Sequence, residues 1–266
     1  YICNKTIEIQ MRTLKEKYRM LLEETDISYI RNIHDTIAWK ERLIAIIGSR
    51  GVGKTTMVLQ HIKLHEDTKS SLFVFADDIW FSTHTIIELA DEFYKDGGKA
   101  LFIDEIHKYK NWSQEIKNIY DSFPKLRVCY TGSSILDLQK GAYDLSRRLL
   151  EYKMHGLSFR EYISLKHKID IPTHTLEQVL ANDINFPYSE LRPLPLFKEY
   201  LKEGYYPYFL NTGYYLRLDK TINVILENDI PKFAELSISM SNKIKTLLFI
   251  IAQSVPFKPN YSKIAR

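Results

Sequence analysis

The stretch Gly48-Ser49-Arg50-Gly51-Val52-Gly53-Lys54-Thr55-Thr56 directly follows the apolar run Leu43–Ile47. It fits the pattern G-x-x-x-x-G-K followed by Ser or Thr, whose glycines let successive backbone N–H groups approach a phosphate. Lys54 supplies a mobile charge for the β- and γ-phosphates, and the Thr55 hydroxyl can ligate Mg²⁺. A degenerate loop that binds nothing is the alternative. The stretch predicts nucleotide phosphate binding by Gly48, Arg50, Gly51, Val52, Gly53, Lys54, Thr55 and Thr56.

Four short apolar runs alternate with segments of helical periodicity in this part of the chain. They comprise residues 43–47, 72–75, 100–103 and 126–130. Runs of this length are typical of strands that are buried on both faces of a parallel sheet. We therefore expect residues 41–156 to form an α/β domain, a three-layer P-loop NTPase core with a mainly parallel sheet.

Segments of a different character flank the expected core. Residues 1–40 carry Ile9, Leu14 and Tyr18 at helical spacing among many charges, which predicts an amphipathic helix and a lead-in. Residues 157–266 contain helix-like segments broken by prolines, with a linker near 185–195, and predict a smaller C-terminal helical domain. The first residue is not Met and the last residues resemble the first turn of a helix, so we expect a fragment.

Two carboxylates follow the third apolar run, in Lys99-Ala100-Leu101-Phe102-Ile103-Asp104-Glu105. Because the carboxyl ends of parallel strands form the ligand-binding edge of such sheets, we expect Asp104 to hold the Mg²⁺ shell. Glu105 points to the other side of the strand end, where it could orient or deprotonate an attacking water. The alternative is a pair of surface carboxylates at a strand end.

The fourth apolar run ends in Tyr130-Thr131-Gly132-Ser133-Ser134. If this strand lies between the first and the third, Thr131 at its tip faces the γ-phosphate and the water, which predicts a phosphate-sensing role. Ser133 or Ser134 could instead cap a helix that starts at Ile135.

Arg147 and Arg148 lie in the segment Asp144-Leu145-Ser146-Arg147-Arg148-Leu149. An arginine that reaches the γ-phosphate of a neighbouring subunit stabilises the transition state of hydrolysis. The residues by themselves favour the alternative, an ordinary salt-bridged pair on a loop.

Two further clusters are set aside. His61 and His65 are spaced i, i+4 on the helix after the loop, but the adjacent Glu of a zinc protease is missing, so a solvated helix face is favoured. A tyrosine-rich cluster could stack on bases, although such clusters more often form a domain core or an interface. Its members are Tyr205, Tyr206, Tyr208, Phe209, Tyr214 and Tyr215.

Composition and charge limit the class of protein. The 266 residues are 45% hydrophobic and 26% charged, with two cysteines and no apolar run long enough to cross a membrane. These values exclude a fibrous or disordered chain and favour a cytoplasmic protein without disulfides. The net charge is +4, and residues 236–266 contain five basic and no acidic side chains. This basic end could attract DNA or another phosphate-rich partner, with a solvated helix face as the alternative.

Several of these motifs together resemble the predicted AAA+ ATPases common in bacteria and archaea. The resemblance rests on the phosphate loop and, in order, on Leu101-Phe102-Ile103-Asp104-Glu105, Val128-Cys129-Tyr130-Thr131-Gly132-Ser133-Ser134, Leu145-Ser146-Arg147-Arg148 and Leu157-Ser158-Phe159-Arg160-Glu161-Tyr162. Three later segments look like Bacteroidetes-like members: Phe197-Lys198-Glu199-Tyr200-Leu201-Lys202-Glu203-Gly204-Tyr205-Tyr206-Pro207, Asp229-Ile230-Pro231 and Ser254-Val255-Pro256-Phe257-Lys258-Pro259-Asn260. The resemblance therefore covers nearly the whole chain.

The resemblance implies an AAA+ core of the ASCE type, a helical region and a winged-helix end. It also implies that this chain stops before the winged helix is complete. It implies that ATP and Mg²⁺ are bound by Gly48, Gly53, Lys54 and Thr55. Asp104 becomes the metal-linked acid and Glu105 the hydrolytic base. Thr131 matches the sensor position, and Arg148 matches the arginine finger, with Arg147 standing where many relatives have Gly.

Two functions are expected from these residues. The first is an ATPase whose catalytic residues are Glu105, Lys54, Thr131 and Arg148. Its turnover would change the angle between the core and the helical domain. The pivot of this change would lie between Lys153 and Leu157. The second is a nucleotide-gated switch, a DNA- or protein-binding module with little turnover. A homo-oligomer is compatible with both. A small-molecule kinase is disfavoured because no acceptor-site motif is evident.

Overall fold

A five-stranded parallel sheet forms the centre of the computed structural model, which describes residues 2–132, 145–184, 191–229 and 238–253. The strands are β1 (Leu43–Ile47), β2 (Ser71–Phe75), β3 (Ala100–Asp104), β4 (Arg127–Gly132) and β5 (Leu150–Lys153). Their order across the sheet is β2-β3-β4-β1-β5, and all neighbouring pairs are parallel. The predicted α/β class is confirmed, and β4 lies between β1 and β3 as expected.

Helices precede, connect and follow the strands. Helix α1 (Ile2–Glu24) comes before β1, and the crossovers between β1 and β4 contain α2 (Lys54–His65), α3 (Ile86–Lys95) and α4 (Trp112–Ser122). After β5 come α5 (Phe159–His167), α6 (Leu176–Leu180), α7 (Pro193–Glu203), α8 (Tyr214–Val224) and α9 (Ile238–Gln253). Short 3₁₀ segments lie at Asn32–Thr36, Ile79–Ser82, Ile106–Lys108 and Pro207–Leu210, and a π-helical segment lies at Ile225–Asp229.

Two of the three inner strands, β1 and β3, are completely buried. Every residue of β1 and of β3 is at most 3% exposed. Successive side chains of a strand point to opposite faces, so burial of all of them requires cover on both faces of the sheet. By contrast, β5 lies at the edge of the sheet and three of its four residues are exposed. The apolar runs therefore mark β1 to β4, which are largely buried, and do not mark β5.

Helix α1 packs on the sheet through one apolar face. Leu14, Tyr18 and Leu22 are buried, as the spacing of apolar residues predicts for an amphipathic helix. The hydroxyl groups of Tyr18 and of Ser71 in β2 form a hydrogen bond of 2.6 Å. This bond satisfies two buried polar groups and ties α1 to β2.

Helix α7 packs against helix α5 after the last strand. Ser158 and Glu161 form a capping box at the first turn of α5, in which each side chain accepts a hydrogen bond from the backbone N–H of the other. The Tyr200 hydroxyl of α7 donates to the carbonyl of Leu157 at 2.7 Å, and the Tyr162 hydroxyl donates to Glu203 at 2.7 Å.

The chain forms two compact units, residues 1–210 and residues 211–266. Residues 157–210 therefore fall in the first unit, whereas we expected a domain boundary at 156/157 from the change in composition. The domains 1–40, 41–156 and 157–266 remain a prediction. Within the second unit, Lys245 of α9 donates to the side-chain carbonyl of Asn223 in α8 at 2.6 Å.

Several sequence predictions concern residues outside the described ranges. They include the caps at Ser133 and Ser134, the segment Ile230-Pro231, residues 185–190 of the expected linker, and the C-terminal stretch 254–266 that carries Lys258, Lys263 and Arg266.

We predict that Leu14→Ala lowers the free energy of unfolding by about 2–5 kcal/mol, because it leaves a cavity beneath α1. The side chain is 3% exposed. Urea unfolding followed by circular dichroism measures the change. Met20→Ala on the same helix is the matched control, since Met20 is 59% exposed. Equal, small effects of both substitutions would contradict the packing of α1 on the sheet.

Candidate functional site

The loop after β1 and the ends of β3 and β4 lie at the same edge of the sheet. Ile47 at the end of β1 pairs with Gly132 of β4, and Ile103 of β3 pairs with Tyr130 of β4. Because all three strands run in the same direction, the residues that follow their ends converge. The structure therefore brings the phosphate loop, Asp104 and Thr131 together, as the sequence predicts.

The phosphate loop depends on two glycines with positive φ. Gly51 has φ +83°, and Gly53, the residue before α2, has φ +97°. Side chains disfavour this left-handed region. A Cβ atom on Gly51 would also lie 2.7 Å from a ring carbon of Tyr208. The two glycines thus permit both the turn of the loop and the close approach of the tyrosine.

Lys54 is the first residue of α2, and its side chain turns back into the phosphate loop. Its ammonium group donates hydrogen bonds to the carbonyl oxygens of Gly48 at 2.8 Å and of Ser49 at 3.0 Å, and the residue is 4% exposed. Burial lowers the pKa of Lys54, while the nearby carboxylates of Glu105 and Asp104 oppose this shift. The loop therefore holds a buried cation close to two carboxylates.

The carboxylate of Asp104 is the centre of the site. One of its oxygens accepts a hydrogen bond from the Thr55 hydroxyl at 2.7 Å, and the other accepts one from the Thr131 hydroxyl. The residue is 1% exposed. Burial raises the pKa of Asp104, and the two hydroxyl hydrogen bonds oppose this rise.

Glu105 is held in an unusual backbone conformation. Its φ is +54°, in the left-handed region, and its N–H donates to the Thr131 hydroxyl oxygen at 3.1 Å. Such a conformation costs a non-glycine residue about 1–3 kcal/mol and is concentrated at functional sites. Its carboxylate lies 3.9 Å from Arg50, 3.7 Å from His107 and 3.8 Å from Lys108. Glu105 thus stands among basic groups next to the loop.

The side chains at this edge have the chemistry that a nucleotide with Mg²⁺ requires. Thr55 and Asp104 offer the oxygen ligands that Mg²⁺ prefers. The buried Nε of Arg50 makes no hydrogen bond with any residue that the structure describes, so the loop offers a donor there. Of the other loop residues, Val52 is buried and Thr56 is exposed.

Arg148 contacts helix α4 rather than the loop residues described above. Its guanidinium lies 3.2 Å and 3.4 Å from the two carboxylate oxygens of Asp121, while Arg147 is exposed. This contact agrees with the alternative in which the arginines form an ordinary ion pair on a loop. A role of Arg148 toward a neighbouring subunit stays a prediction.

Arg31 is a buried residue of the lead-in that supports the loop, and no sequence pattern indicated it. Its guanidinium donates to Glu161 at 2.8 Å and to the carbonyl oxygens of Val52 at 2.7 Å, His155 at 2.9 Å and Gly156 at 3.0 Å. Arg31 and Glu161 are 8% and 5% exposed. The spacing of Ser158 and Glu161 is typical of a helix capping box, which gives Glu161 a structural role. No pattern in the sequence pairs Glu161 with Arg31.

Part of the tyrosine-rich cluster also contacts the loop. Tyr208 lies against Gly51, and the ring of Pro207 lies 3.6 Å from the position of a Cβ atom on Gly53. The rings of Tyr206 and Tyr208 stack with centres 5.2 Å apart. From the sequence, these aromatics were expected in a domain core or an interface. Their position beside the phosphate loop was not expected.

The comparisons with known proteins concern the same part of the chain. Residues 40–163 match a family described as an AAA domain. The matched segment contains the phosphate loop, Asp104, Glu105 and Thr131, and it includes all five strands. The five-stranded parallel sheet confirms the α/β fold, and this segment of the chain is similar to an AAA domain. The Bacteroidetes-like form and the winged helix stay predictions.

A curated relative covers the whole chain. It is an uncharacterized protein of Methanocaldococcus jannaschii, 28% identical over 291 aligned positions. The alignment includes all of this chain and 60% of the relative, so the chain spans less than two thirds of that protein's length.

The comparison with solved structures also found matches at low sequence identity and low TM-score. The Walker-type ATPase of Pyrococcus abyssi is 12% identical, with 74% of this chain and 71% of that chain covered and a TM-score of 0.41. DnaA from Aquifex aeolicus, bound to AMPPCP, is 15% identical, with 92% and 69% covered and a TM-score of 0.39. Across the described ranges, no helix combines the length and the apolar character needed to span a bilayer.

We predict that Arg31→Ala lowers the free energy of unfolding by about 3–5 kcal/mol, because it leaves Glu161 as a buried charge without its partner. Urea unfolding at pH 7 measures the change. Arg12→Ala is the matched control, since the Arg12–Glu16 pair is exposed and worth at most about 1 kcal/mol.

The same pair predicts a pH dependence. Burial alone would raise the pKa of Glu161, but hydrogen bonds from Arg31 and the backbone N–H groups of Ser158 and Asn32 lower it below its ordinary value of 4.5. A lowered pKa means that the ionised form stabilises the fold above pH 4.5 and that this stabilisation is lost as the pH falls below it. The difference in unfolding free energy between wild type and Glu161→Gln should therefore shrink in acid. A constant difference would contradict an ionised Glu161.

Proposed function

We propose that this chain binds ATP with Mg²⁺ and hydrolyses it. The observation that carries the proposal is the Asp104 carboxylate, which accepts hydrogen bonds from both Thr55 and Thr131 beside the phosphate loop. This arrangement links the residue that would ligand Mg²⁺ to the residue at the tip of β4. The AAA domain match over residues 40–163 supports the same activity.

Each residue has a role that follows from its position. The backbone N–H groups of the loop and the Lys54 ammonium bind the phosphates, for which Lys54 exchanges its hydrogen bonds to Gly48 and Ser49. Thr55, and Asp104 through the water shell of the ion, would hold Mg²⁺, which would neutralise charge at the phosphates. Glu105 accepts the proton of the attacking water. Thr131, bonded to both Asp104 and the Glu105 backbone, positions the base.

Contacts with the loop support the proposed coupling of turnover to a rearrangement. The N–H of Leu157 donates to the carbonyl of Tyr205 at 2.7 Å, and Tyr208 lies against Gly51. The expected pivot between Lys153 and Leu157 is thus bonded to the segment that covers the loop. A phosphate that displaces Tyr208 would move the pivot through this segment.

A nucleotide-gated switch is the second candidate. The basic side chains of Arg50, His107 and Lys108 lie within 4 Å of one oxygen of Glu105 and compete with water for it. Slow turnover follows if this competition persists with ATP bound.

The partners and location form part of the same proposal. A cytoplasmic homo-oligomer would let Arg148 act on the ATP of its neighbour once the Asp121 pair opens. DNA or a protein partner would bind the basic C-terminal region, of which Lys243 and Lys245 lie in α9.

We predict that Glu105→Gln reduces phosphate release by about 10²–10⁴-fold while ATP binding persists, because the substitution removes the base and keeps the shape. Lys54→Ala should weaken ATP binding itself. Phosphate release and equilibrium binding of a fluorescent ATP analogue measure the two effects. Glu41→Gln and Lys40→Ala are the matched controls. Both residues are exposed, so these two variants should behave as wild type.

Each protein is assayed with and without DNA. Stimulation of wild type by DNA would support a nucleic-acid partner. If ATP is bound but no phosphate is released by any of the proteins, with or without DNA, the ATPase hypothesis is contradicted and the switch is supported. Absence of ATP binding in wild type would contradict both functions.

A further inference from the structure

Three histidines meet near the C-terminal end of helix α2, at the opposite end of the helix from Lys54. His34 comes from the 3₁₀ segment Asn32–Thr36, and His61 and His65 come from the last part of α2. We call these three residues the histidine cluster. The sequence favoured a solvated face for His61 and His65, but His61 is only 4% exposed and His34 7% exposed, while His65 is exposed. His61 is buried, contrary to the expectation, because the lead-in folds over α2.

The rings of the histidine cluster form a nearly equilateral triangle. Their centres are 5.3 Å apart for His34 and His61, 5.4 Å for His34 and His65, and 5.3 Å for His61 and His65. Three imidazoles that bind one Zn²⁺ at about 2.1 Å in a tetrahedral arrangement have ring centres about 5 Å apart. One nitrogen from each ring lies within 4.8 Å of the others. The triangle therefore has the dimensions of a three-histidine metal site.

The inner nitrogens of the two buried rings face each other. Nε2 of His34 lies 3.2 Å from Nδ1 of His61. Two nitrogens on one tetrahedral Zn²⁺ are separated by about 3.4 Å, so this pair needs little adjustment to share an ion.

The outer nitrogens of the same rings face carboxylates. Nδ1 of His34 lies 3.1 Å from Asp35, and Nε2 of His61 lies 3.4 Å from Glu66. Arg127 holds Glu66 in place with two hydrogen bonds of 2.8 Å and 2.7 Å. Metal-binding histidines commonly direct their second nitrogen at a carboxylate, which fixes the tautomer and the ring orientation.

These carboxylates favour the tautomers that a metal requires. A proton on each outer nitrogen leaves a lone pair on Nε2 of His34 and on Nδ1 of His61, and the two lone pairs then point at each other. Moving the proton of His61 to Nδ1 would relieve this repulsion but would aim a lone pair of Nε2 at Glu66. Within the described part of the chain, that buried Nε2 makes no hydrogen bond of good geometry, although Glu66 lies 3.4 Å away. A cation between the inner nitrogens would remove the repulsion between these two lone pairs and would leave the outer proton of His61 directed at Glu66.

A cavity of about 510 Å³ gives solvent access to the cluster. Its lining includes all three histidines, Asp35 and Trp39. The indole of Trp39 stacks on His61 with ring centres 3.7 Å apart and an angle of 9° between the planes. Stacking covers the face of the imidazole and leaves its in-plane lone pair accessible. The cavity has room for a water as a fourth ligand.

The geometry points to a binding site for a divalent transition metal of the Zn²⁺ class, with His34, His61 and His65 as ligands and a water in the fourth position. Imidazole nitrogens in tetrahedral arrangement favour Zn²⁺ over Mg²⁺, which prefers oxygen ligands. The ion joins the lead-in to α2, the helix that begins with Lys54. Since Arg31 lies three residues before His34, metal binding reinforces the same lead-in that supports the phosphate loop.

The experiment uses the full chain without a histidine tag, treated with a chelator and then titrated with Co²⁺ or Zn²⁺. We expect one Co²⁺ per chain with the strong visible absorption of a tetrahedral site. Co²⁺ bound to oxygen ligands at the phosphate loop would be six-coordinate and absorb weakly, so the two sites are distinguishable. Zn²⁺ should also raise the melting temperature, because it binds the folded state.

His65→Gln and His34→Gln should each weaken metal binding by more than tenfold and abolish the rise in melting temperature. His65 is exposed, so its substitution leaves the fold intact without metal, which circular dichroism checks. His155→Gln is the matched control, since His155 is an exposed histidine outside the cluster. The site is overturned if wild type takes up no tetrahedral Co²⁺, or if both glutamine variants bind Co²⁺ as wild type does.

Discussion

The hydrogen bonds at the Asp104 carboxylate are the constraint on which the rest of the structure depends. Thr55 and Thr131 reach the same carboxylate from the start of α2 and from the end of β4. A carboxylate that is 1% exposed needs such donors, since an unsatisfied buried charge is costly. The requirement fixes the relative positions of the phosphate loop and of two strand ends. The contacts that build the site therefore also join the start of α2 to the ends of β3 and β4.

A second buried carboxylate, Glu161, positions the loop from outside the sheet. Arg31 connects it to the carbonyl of Val52 and to the chain after β5. The guanidinium has several donors in a fixed planar geometry, so one side chain can satisfy several acceptors at once. A few residues after Arg31, His34 contacts α2. The lead-in therefore touches the phosphate loop and its helix at two places.

The sequence predicted much of the sheet and the centre of the site because local patterns carry that information. Apolar runs marked β1 to β4, and the positions of Asp104 and Thr131 at strand ends implied their meeting. It did not predict the pairing of Arg148 with Asp121, which joins separate elements of the chain. It also placed His61 on a solvated face, because helical spacing shows which residues share a face and does not show what covers that face.

The sequence by itself determined the α/β class, the loop that turns at Gly51 and Gly53, and the residues at the ends of β3 and β4. These features arise from backbone conformation and from burial periodicity, which depend on near neighbours in the chain. Only the tertiary structure decided that Arg31 meets Glu161, that Tyr208 lies on Gly51 and that His34 completes a triangle with two residues of α2. Each of these contacts joins segments far apart in sequence, and their geometry exists only once the chain has packed.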